Sequence, residues 1–191
     1  MNVELVPATR AQKKQQTRAA LVEAAWALFR LRGFQGTTVD AIAAAAGVGR
    51  RTVFRYFGNK EELFFCDHEA RLNHFSVLLL TRLPDEPAVV AVQRAFLAVA
   101  ETLMAQRGRE RIRSQMIQDS DLLMAAERVR DLRWELAVAQ ALGGDRRARI
   151  EAGALWGVVR ATLREWFDSD CSEDLVVLAV EAFELLAVGV R

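Results

Sequence analysis

The sequence contains few residues of the types that carry most catalytic and metal-binding chemistry. Among 191 residues there are two cysteines, two histidines and one tyrosine. Cys66 and Cys171 stand alone, with no second Cys or His at metal-ligand spacing, which is typical of a reduced intracellular protein. His68 and His74 are six residues apart, so they do not share a helix face, and neither begins an HExxH motif. We therefore expect no catalytic residues, no metal, no cofactor and no enzymatic activity.

Proline and long apolar runs are also scarce. Prolines occur only at positions 7, 84 and 87, and no stretch alternates apolar and polar residues as a half-buried strand would. The first 18 residues lack the apolar core of a signal peptide. The most apolar stretch, residues 175–190, is short for a membrane span and contains Glu181 and Glu184. The sequence therefore predicts an almost entirely helical, cytoplasmic protein with no membrane partner.

The charge is nearly balanced overall but unevenly distributed. The net charge is +1, yet residues 1–65 hold ten Lys and Arg against five Asp and Glu, and residues 66–191 hold sixteen against twenty. A basic N-terminal third beside an acidic remainder indicates a local surface for a polyanion. The apolar fraction of 52% is more than one small core needs, which indicates an oligomer interface or a lined cavity.

Residues 37–63 carry the most specific pattern in the chain. Thr38 is an N-cap candidate for a short helix over residues 39–46, Gly47-Val48-Gly49 forms a turn, and a second helix covers residues 50–57. Two helices joined by a short turn that contains glycine define the helix-turn-helix motif. Its second helix enters the major groove of DNA.

Longer helices are predicted on both sides of this motif. The first covers residues 10–32 and ends at Gly33. The next helix after the motif begins near Lys60 and continues to Arg82, where Pro84 ends it. One continuous helix would leave no flexible linker between the N-terminal module and the rest of the chain.

The two faces of the second motif helix differ in character. Val53 and Phe57 fall on one face and are predicted to pack into the small core. Arg51 and Arg55 fall on the opposite face, where arginine suits bidentate contact with guanine. Lys60, beside the free amides at the start of the next helix, is predicted to bind a phosphate. The residues predicted to contact DNA are Arg50, Arg51, Thr52, Phe54, Arg55, Tyr56, Lys60, Thr38, Lys13, Lys14 and Arg18.

A charged helix face is most often simply a solvated one, and three arginines alone would be weak evidence for DNA binding. Phe54 and Tyr56 lie among these arginines, and a solvated face has little use for aromatic side chains. With the capped helix and the glycine turn before them, they favour DNA binding.

The N-terminal third carries a set of residues at specific spacings, namely Gly33-Phe34, Thr37-Thr38, Ile42-Ala43, Ala46-Gly47-Val48, Thr52, Phe54, Tyr56-Phe57 and Lys60-Glu61-Glu62-Leu63. This set resembles the signature of the TetR (tetracycline-repressor) family of transcriptional regulators. The resemblance implies an all-α fold of about nine helices and a homodimer that binds a palindromic operator in double-stranded DNA. It also implies release by a small-molecule effector. The implied divisions are a flexible arm at residues 1–9, a helix-turn-helix DNA-binding domain at 10–65, and a ligand-binding and dimerisation domain at 66–191.

Several positions depart from the pattern of that family. Gly49 stands where the family usually has a serine that caps the recognition helix, and Phe54 replaces a common tyrosine. Asp40 and Ala44 stand where basic or polar residues are frequent. We expect backbone contacts to shift to other residues and the paired arginines at 50–51 to alter which operator is bound.

Five further helices are predicted over residues 86–106, 109–118, 121–142, 145–168 and 173–189. The last is apolar nearly all round, and the one before it carries two glycines four residues apart beside a tryptophan, which would allow close helix approach. Intrachain packing would explain both helices, but the resemblance favours a four-helix interface between two subunits. The residues predicted at this interface are Gly153, Trp156, Gly157, Arg160, Val180, Phe183 and Ala187.

The resemblance places the effector among the fourth to eighth helices. The candidates for a ligand pocket are His74, Phe96, Met104, Arg113, Met116, Trp134 and Trp156. Each of them could equally be ordinary core. The arginines at 107, 109, 111 and 113 could be a solvated face, or they could guide an anionic ligand such as an acyl-coenzyme A. The layout of this region is similar to TetR-type regulators of lipid or acyl metabolism.

The leading hypothesis is therefore a repressor released from its operator by a small molecule, with the continuous helix from Lys60 acting as a lever. An alternative keeps DNA binding without ligand control, so that the C-terminal domain binds a protein partner. A third hypothesis is a helical enzyme or carrier with an incidental basic patch, which would bind DNA weakly and without sequence preference.

Overall fold

A computed structural model describes residues 9–189, which form ten α-helices and no strand. The predicted all-α fold is confirmed, with one helix more than expected. The predicted arm at residues 1–9 lies, apart from Thr9, outside the described residues. The helices are α1 (Arg10–Arg32), α2 (Val39–Ala45), α3 (Arg50–Tyr56), α4 (Lys60–Phe64), α5 (His68–Leu80), α6 (Ala88–Ala105), α7 (Arg107–Gln118), α8 (Asp121–Ala141), α9 (Arg146–Asp168) and α10 (Leu175–Val188).

The predicted continuous helix from Lys60 to Arg82 is wrong. It is interrupted between Phe64, where α4 ends, and His68, where α5 begins. Residues 63–66 are all buried, and four consecutive residues cannot all face inward from one straight helix, because they cover most of its circumference. The Cys66 carbonyl in the interruption accepts a hydrogen bond from Arg18 Nη2 at 3.2 Å. The chain also divides here into two compact units, the first ending at Cys66 and the second beginning at Asp67.

The first unit is built around a cluster of aromatic rings. The inward face of α1 buries Leu21, Val22, Ala25, Trp26 and Phe29, which recur at the spacing of one helix face. Trp26 stacks on Phe64 of α4 with ring centroids 5.3 Å apart, and Phe29 meets the same Phe64 ring edge-on at 5.6 Å. These contacts fix α1 and α4 around the short helices α2 and α3.

The second unit has a larger core in which α6 packs against α5 and α10, and α8 packs against α9. Trp134 and Trp156 stack with centroids 5.5 Å apart and an interplanar angle of 13°. Phe75 of α5 meets Trp156 at 5.7 Å. By length and composition α6 alone among the described helices could cross a membrane, although its inward face supplies eight buried residues to this core.

Candidate nucleic-acid interface

The predicted helix-turn-helix is confirmed in the first unit. The Thr38 hydroxyl accepts a hydrogen bond from the Ala41 amide at 3.1 Å and so caps α2. Gly47 has φ +65°, a conformation that strains other residues and that lets the chain turn directly after α2. The Val48 amide then donates to the Ala43 carbonyl at 3.0 Å. α3 begins after Gly49, which offers no side-chain cap.

The side chains of α3 divide between a buried and an outward face, as its helical periodicity predicts. Val53 and Phe57, the residue at which α3 ends, are buried. Phe54 lies on the outward face and is 44% exposed. Thr52 and Tyr56 are half-buried at the edges of the outward face. The residues most exposed on this face are Arg50, Arg51, Phe54 and Arg55.

Two of the three arginines on this face lie over aromatic rings. The Arg55 guanidinium carbon is 5.4 Å from the centroid of the Tyr56 ring. That of Arg50 is 5.5 Å from the centroid of Phe54, and Arg50 Nη1 donates to Asp40 Oδ2 of α2 at 2.7 Å. Arg51 makes no ion pair within residues 9–189. The outward face thus combines donors for base edges and phosphates with flat apolar rings.

Lys60, which is predicted to contact a phosphate, directs most of its donors into the first unit. Lys60 Nζ donates to the Phe34 carbonyl at 2.7 Å and to the Thr37 carbonyl at 2.9 Å. It also lies 4.1 Å from the centroid of the Phe34 ring, and desolvation by burial lowers the pKa of its ammonium. Lys60 therefore ties the start of α4 to the connection between α1 and α2.

The basic residues of α1 differ among themselves. Lys13 and Lys14 are exposed and remain candidates for contact with the DNA backbone. Arg18 is also exposed, but it donates to the Cys66 carbonyl and its guanidinium carbon lies 5.2 Å from the centroid of Phe57. These contacts connect α1 with the end of α3, and the DNA contact of Arg18 stays a prediction.

The predicted pocket residues of the second unit differ in their burial. His74 is exposed on α5, so its prediction as a pocket residue is wrong. The three aromatic candidates, Phe96, Trp134 and Trp156, are buried in the hydrophobic core. Half-buried Met104 accepts a hydrogen bond through its sulfur from the Leu175 amide at 3.4 Å, and Met116 is also half-buried.

The arginines of α7 are held by acidic partners. Arg113 Nη1 lies 3.1 Å from Oε2 of Glu110, a carboxylate whose residue is only 2% exposed, and Arg71 Nη1 of α5 lies 3.0 Å from Oε1 of the same group. Arg109 pairs with Asp67 at 3.5 Å. Arg111 pairs with Asp170 at 3.2 Å. These pairs contradict the prediction that Arg113 faces a ligand, and among the described residues Arg107 is the member of the group without an ion pair.

Glu127 of α8 is a candidate ligand residue that sequence analysis missed. It lies on the core-facing side of α8, four residues after buried Leu123 and seven before buried Trp134, yet it is exposed. Burial nevertheless raises the pKa of its carboxyl, with Arg113 opposing this effect. Within residues 9–189 this carboxyl has neither an ion pair nor a hydrogen bond.

Several residues predicted at the dimer interface face the chain itself. Trp156 and Phe183 are buried in the core, which contradicts a role in contacting a second subunit. Arg160 Nη1 pairs with Asp131 at 3.1 Å and with Glu135 at 3.0 Å, both on α8. Gly153 also faces Glu135, and Val180 is half-buried, whereas Ala187 is exposed and Gly157 has open space beside it.

An exposed apolar groove of about 360 Å³ lies instead between α9 and α10. Its lining is apolar apart from Thr162, Glu165 and Glu181. Small residues on α9 and larger ones on α10 would allow another helix to approach closely. The residues that line the groove are Val158, Ala161, Thr162, Glu165, Leu178, Glu181, Ala182, Leu185 and Leu186.

The capped α2, the glycine turn and the outward face of α3 define a helix-turn-helix DNA-binding protein. Residues 21–65 match the family model of bacterial regulatory proteins, tetR family. Over 93 residues the chain is 38% identical to the HTH-type transcriptional regulator TcmR of Streptomyces glaucescens, covering 49% of this chain and 41% of TcmR. It is 27% identical over 188 residues, 93% of each chain, to MftR of Mycobacterium tuberculosis, a transcriptional regulator assigned to mycofactocin biosynthesis.

The whole fold is similar to that of FadR from Thermus thermophilus, a TetR-family transcriptional repressor solved in complex with lauroyl-CoA. The TM-score is 0.63, and the similarity covers 91% of this chain and 95% of that chain. At 23% sequence identity this similarity shows the fold alone. The predicted resemblance to the TetR family is confirmed for the N-terminal part of the chain, where residues 21–65 match the family model.

Proposed function

We propose that this protein is a homodimeric repressor that binds a palindromic operator and leaves it when a small molecule binds the second unit. The observation that supports sequence-specific DNA binding is the outward face of α3, where Arg51 and Arg55 flank an exposed Phe54. Arginine suits guanine in the major groove, and an aromatic ring suits the thymine methyl group. Exposed Lys13 and Lys14 on α1 would add contacts to the backbone.

The groove between α9 and α10 supports the dimer. A two-fold dimer needs a self-complementary surface, and it presents its two recognition helices to the two halves of a palindrome. Exposed Ala161 and Leu185 belong to this groove. We propose that α9 and α10 of two subunits pack together there, with Gly157 and Ala187 at the margins.

The carboxylate of Glu127, which lies on the core-facing side of α8, supports a ligand in the second unit. We propose a largely apolar ligand, because Leu123 and Trp134 on the same side of α8 are buried, and lauroyl-CoA is the ligand with which FadR of Thermus thermophilus was solved. A ligand weakens DNA binding only as far as it prefers the released conformation. Because α4 and α5 are separate helices, they do not form the single rigid lever that the sequence predicted.

The decisive experiment is selection of bound sequences from random duplex DNA with the purified protein at near-physiological salt. A palindromic consensus is expected, with half-sites spaced by whole helical turns. Retention of DNA without any enriched motif would overturn the proposal. It would also favour an incidental basic patch, because non-specific binding needs only phosphate contacts.

One surface favours the alternative of a regulator controlled by a protein partner. α8 exposes four large apolar side chains, at Leu122, Val129, Leu132 and Leu136, which follow a heptad-like spacing. A thermal-shift screen with acyl-coenzyme A, fatty acids and apolar drugs separates the two functions. Stabilisation by one class that also releases the selected operator supports ligand control, whereas no response across the panel supports a partner protein.

A further inference from the structure

Asp40 and Arg50 join the two helices of the DNA-binding motif. Asp40 is the second residue of α2, and Arg50 is the first residue of α3. Arg50 Nη1 lies 2.7 Å from Asp40 Oδ2, and the guanidinium carbon lies 5.5 Å from the Phe54 ring centroid. The guanidinium is thereby held between a carboxylate on one helix and an aromatic ring on the other.

The ion pair between Asp40 and Arg50 adds little to the stability of the fold. Its two side chains are 61% and 63% exposed, and ion pairs at such positions contribute little to stability. Nor does it favour general affinity for DNA, because the Asp40 carboxylate is a negative charge on a face that would approach phosphates. What the pair does is restrict the rotamers of a long side chain.

The contact leaves Arg50 able to read a base. A guanidinium has five N–H donors in a planar fork, and Asp40 engages only Nη1. The edge formed by Nε and Nη2 keeps two parallel donors, which is the geometry that matches the O6 and N7 acceptors of guanine. Without Asp40, the same side chain would be free to turn to the nearest phosphate.

We propose that Asp40 is a positioning residue for operator specificity, which holds Arg50 so that Arg50 reads a guanine in each half-site. This inference rests on the proposed DNA-binding function. Asp40 lies on α2 and needs no base contact of its own. Through Arg50 it would nevertheless determine which sequence α3 recognises.

The test compares Asp40→Ala, Asp40→Asn, Arg50→Ala and the double variant with the unmodified protein. Each is measured for binding to the selected operator, to single-base variants of it and to a random duplex. For Asp40→Ala we expect tighter binding to the random duplex, and a loss of about 5- to 100-fold in discrimination at one base pair of each half-site. Arg50→Ala should lose discrimination at the same base pair, and the double variant should lose no more than Arg50→Ala alone.

Two controls separate positioning from charge. Asp40→Asn keeps an oxygen acceptor for Arg50 Nη1 and should retain most of the discrimination despite losing the charge. Glu23→Ala removes an exposed carboxylate from α1 of the same unit and should leave discrimination unchanged.

The outcomes also distinguish this inference from the function on which it rests. Uniformly tighter binding of Asp40→Ala to every duplex, with discrimination intact, would overturn the positioning role while leaving the regulator proposal in place. If the unmodified protein shows no sequence preference, both the positioning role of Asp40 and the regulator proposal are overturned.

Discussion

The ammonium of Lys60 contacts Phe34 twice, because it donates to the carbonyl oxygen at 2.7 Å and lies 4.1 Å from the centroid of the ring. A second bond reaches the Thr37 carbonyl at 2.9 Å. A lysine at the start of a helix near DNA resembles a phosphate ligand in the sequence, but here its donors serve the protein's own backbone.

Lys60→Ala should therefore lower the stability of the first unit. Hydrogen bonds from a charged donor contribute about 1.5–3 kcal/mol each, and at a half-buried site we expect a total loss of about 2 kcal/mol in the free energy of unfolding. Thermal and denaturant unfolding followed by circular dichroism measure it. Lys60→Met keeps most of the aliphatic stem, so a loss of stability in this variant is due to the missing ammonium. Unchanged stability in both variants would restore the phosphate role.

Arg51→Ala should lose sequence discrimination, because a bidentate arginine contact with guanine is worth about 1–3 kcal/mol. The loss is expected at one position of each half-site, measured by competition between the selected operator and its single-base variants. Lys14→Ala should instead weaken all duplexes alike and reduce the dependence of affinity on salt. Equal, sequence-independent losses in the two variants would mean that Arg51 contacts only the backbone.

Arg113→Ala should destabilise the second unit by about 3–5 kcal/mol, since it leaves the buried carboxylate of Glu110 with a weakened set of partners. The measurement is the free energy of unfolding in urea. Arg107→Ala, on the same helix but exposed, is the matched control and should change it little. A stable Arg113→Ala protein that had lost only ligand binding would return Arg113 to the pocket.

Stability should fall as the pH drops from about 6.5 to about 4. Burial, and secondarily the nearby Arg130, lowers the pKa of His68 to about 4 from 6.5. As the pH falls, the unfolded chain therefore takes up a proton before the folded chain does. The contribution of His68 to the free energy of unfolding is complete above pH 6.5 and is lost as the pH approaches 4. His68 Nε2 also accepts from Trp134 Nε1 at 2.8 Å, a bond that protonation of Nε2 would remove.

Melting temperatures between pH 4 and pH 7 test this titration. His68→Gln should flatten the pH dependence relative to the unmodified protein. His74→Gln removes the other, exposed histidine and should leave the dependence as it was. Parallel curves for all three proteins would contradict the assignment to His68.

Ala161→Asp should dissociate the proposed dimer, because it places a charge in the apolar groove between α9 and α10. We expect at least a tenfold rise in the dimer dissociation constant, measured by sedimentation, together with weaker operator binding. Leu132→Asp introduces the same charge at an exposed apolar position of α8 and should leave the dimer intact. A dimer unaffected by Ala161→Asp would place the interface elsewhere.

Local signals in the sequence predicted much of this fold. Residues 10–32 form α1 as predicted, and Thr38 caps α2, because capping and periodicity depend on neighbours along the chain. The inward positions of Val53 and Phe57 also follow from helical spacing alone. The family signature lies in the same segment, and for that reason the DNA-binding domain was recognisable from residue types and spacing.

Contacts between distant residues were not predictable in this way. Nothing near Lys60 in the sequence shows that the carbonyl of Phe34 will face it, and nothing near Arg113 shows that Arg71 will share Glu110 with it. The break after Phe64 could have been anticipated, since four apolar residues in succession at 63–66 cannot all be buried by one straight helix. Glu127 had a weaker signal, as a lone carboxylate on an apolar helical face.

The distribution of tryptophans gives each unit its own optical signal. Trp26 is the one indole of the first unit, while Trp134, Trp156 and Trp166 all belong to the second. Transitions of the stacked pair, 5.5 Å apart and nearly parallel, couple electronically, whereas Trp26 lies against a phenyl ring. Near-ultraviolet circular dichroism should therefore show a coupled band that reports on the second unit. Replacing Trp26 with Phe would leave tryptophan emission from that unit alone, and the difference from the unmodified protein would report on the first unit, without an attached dye.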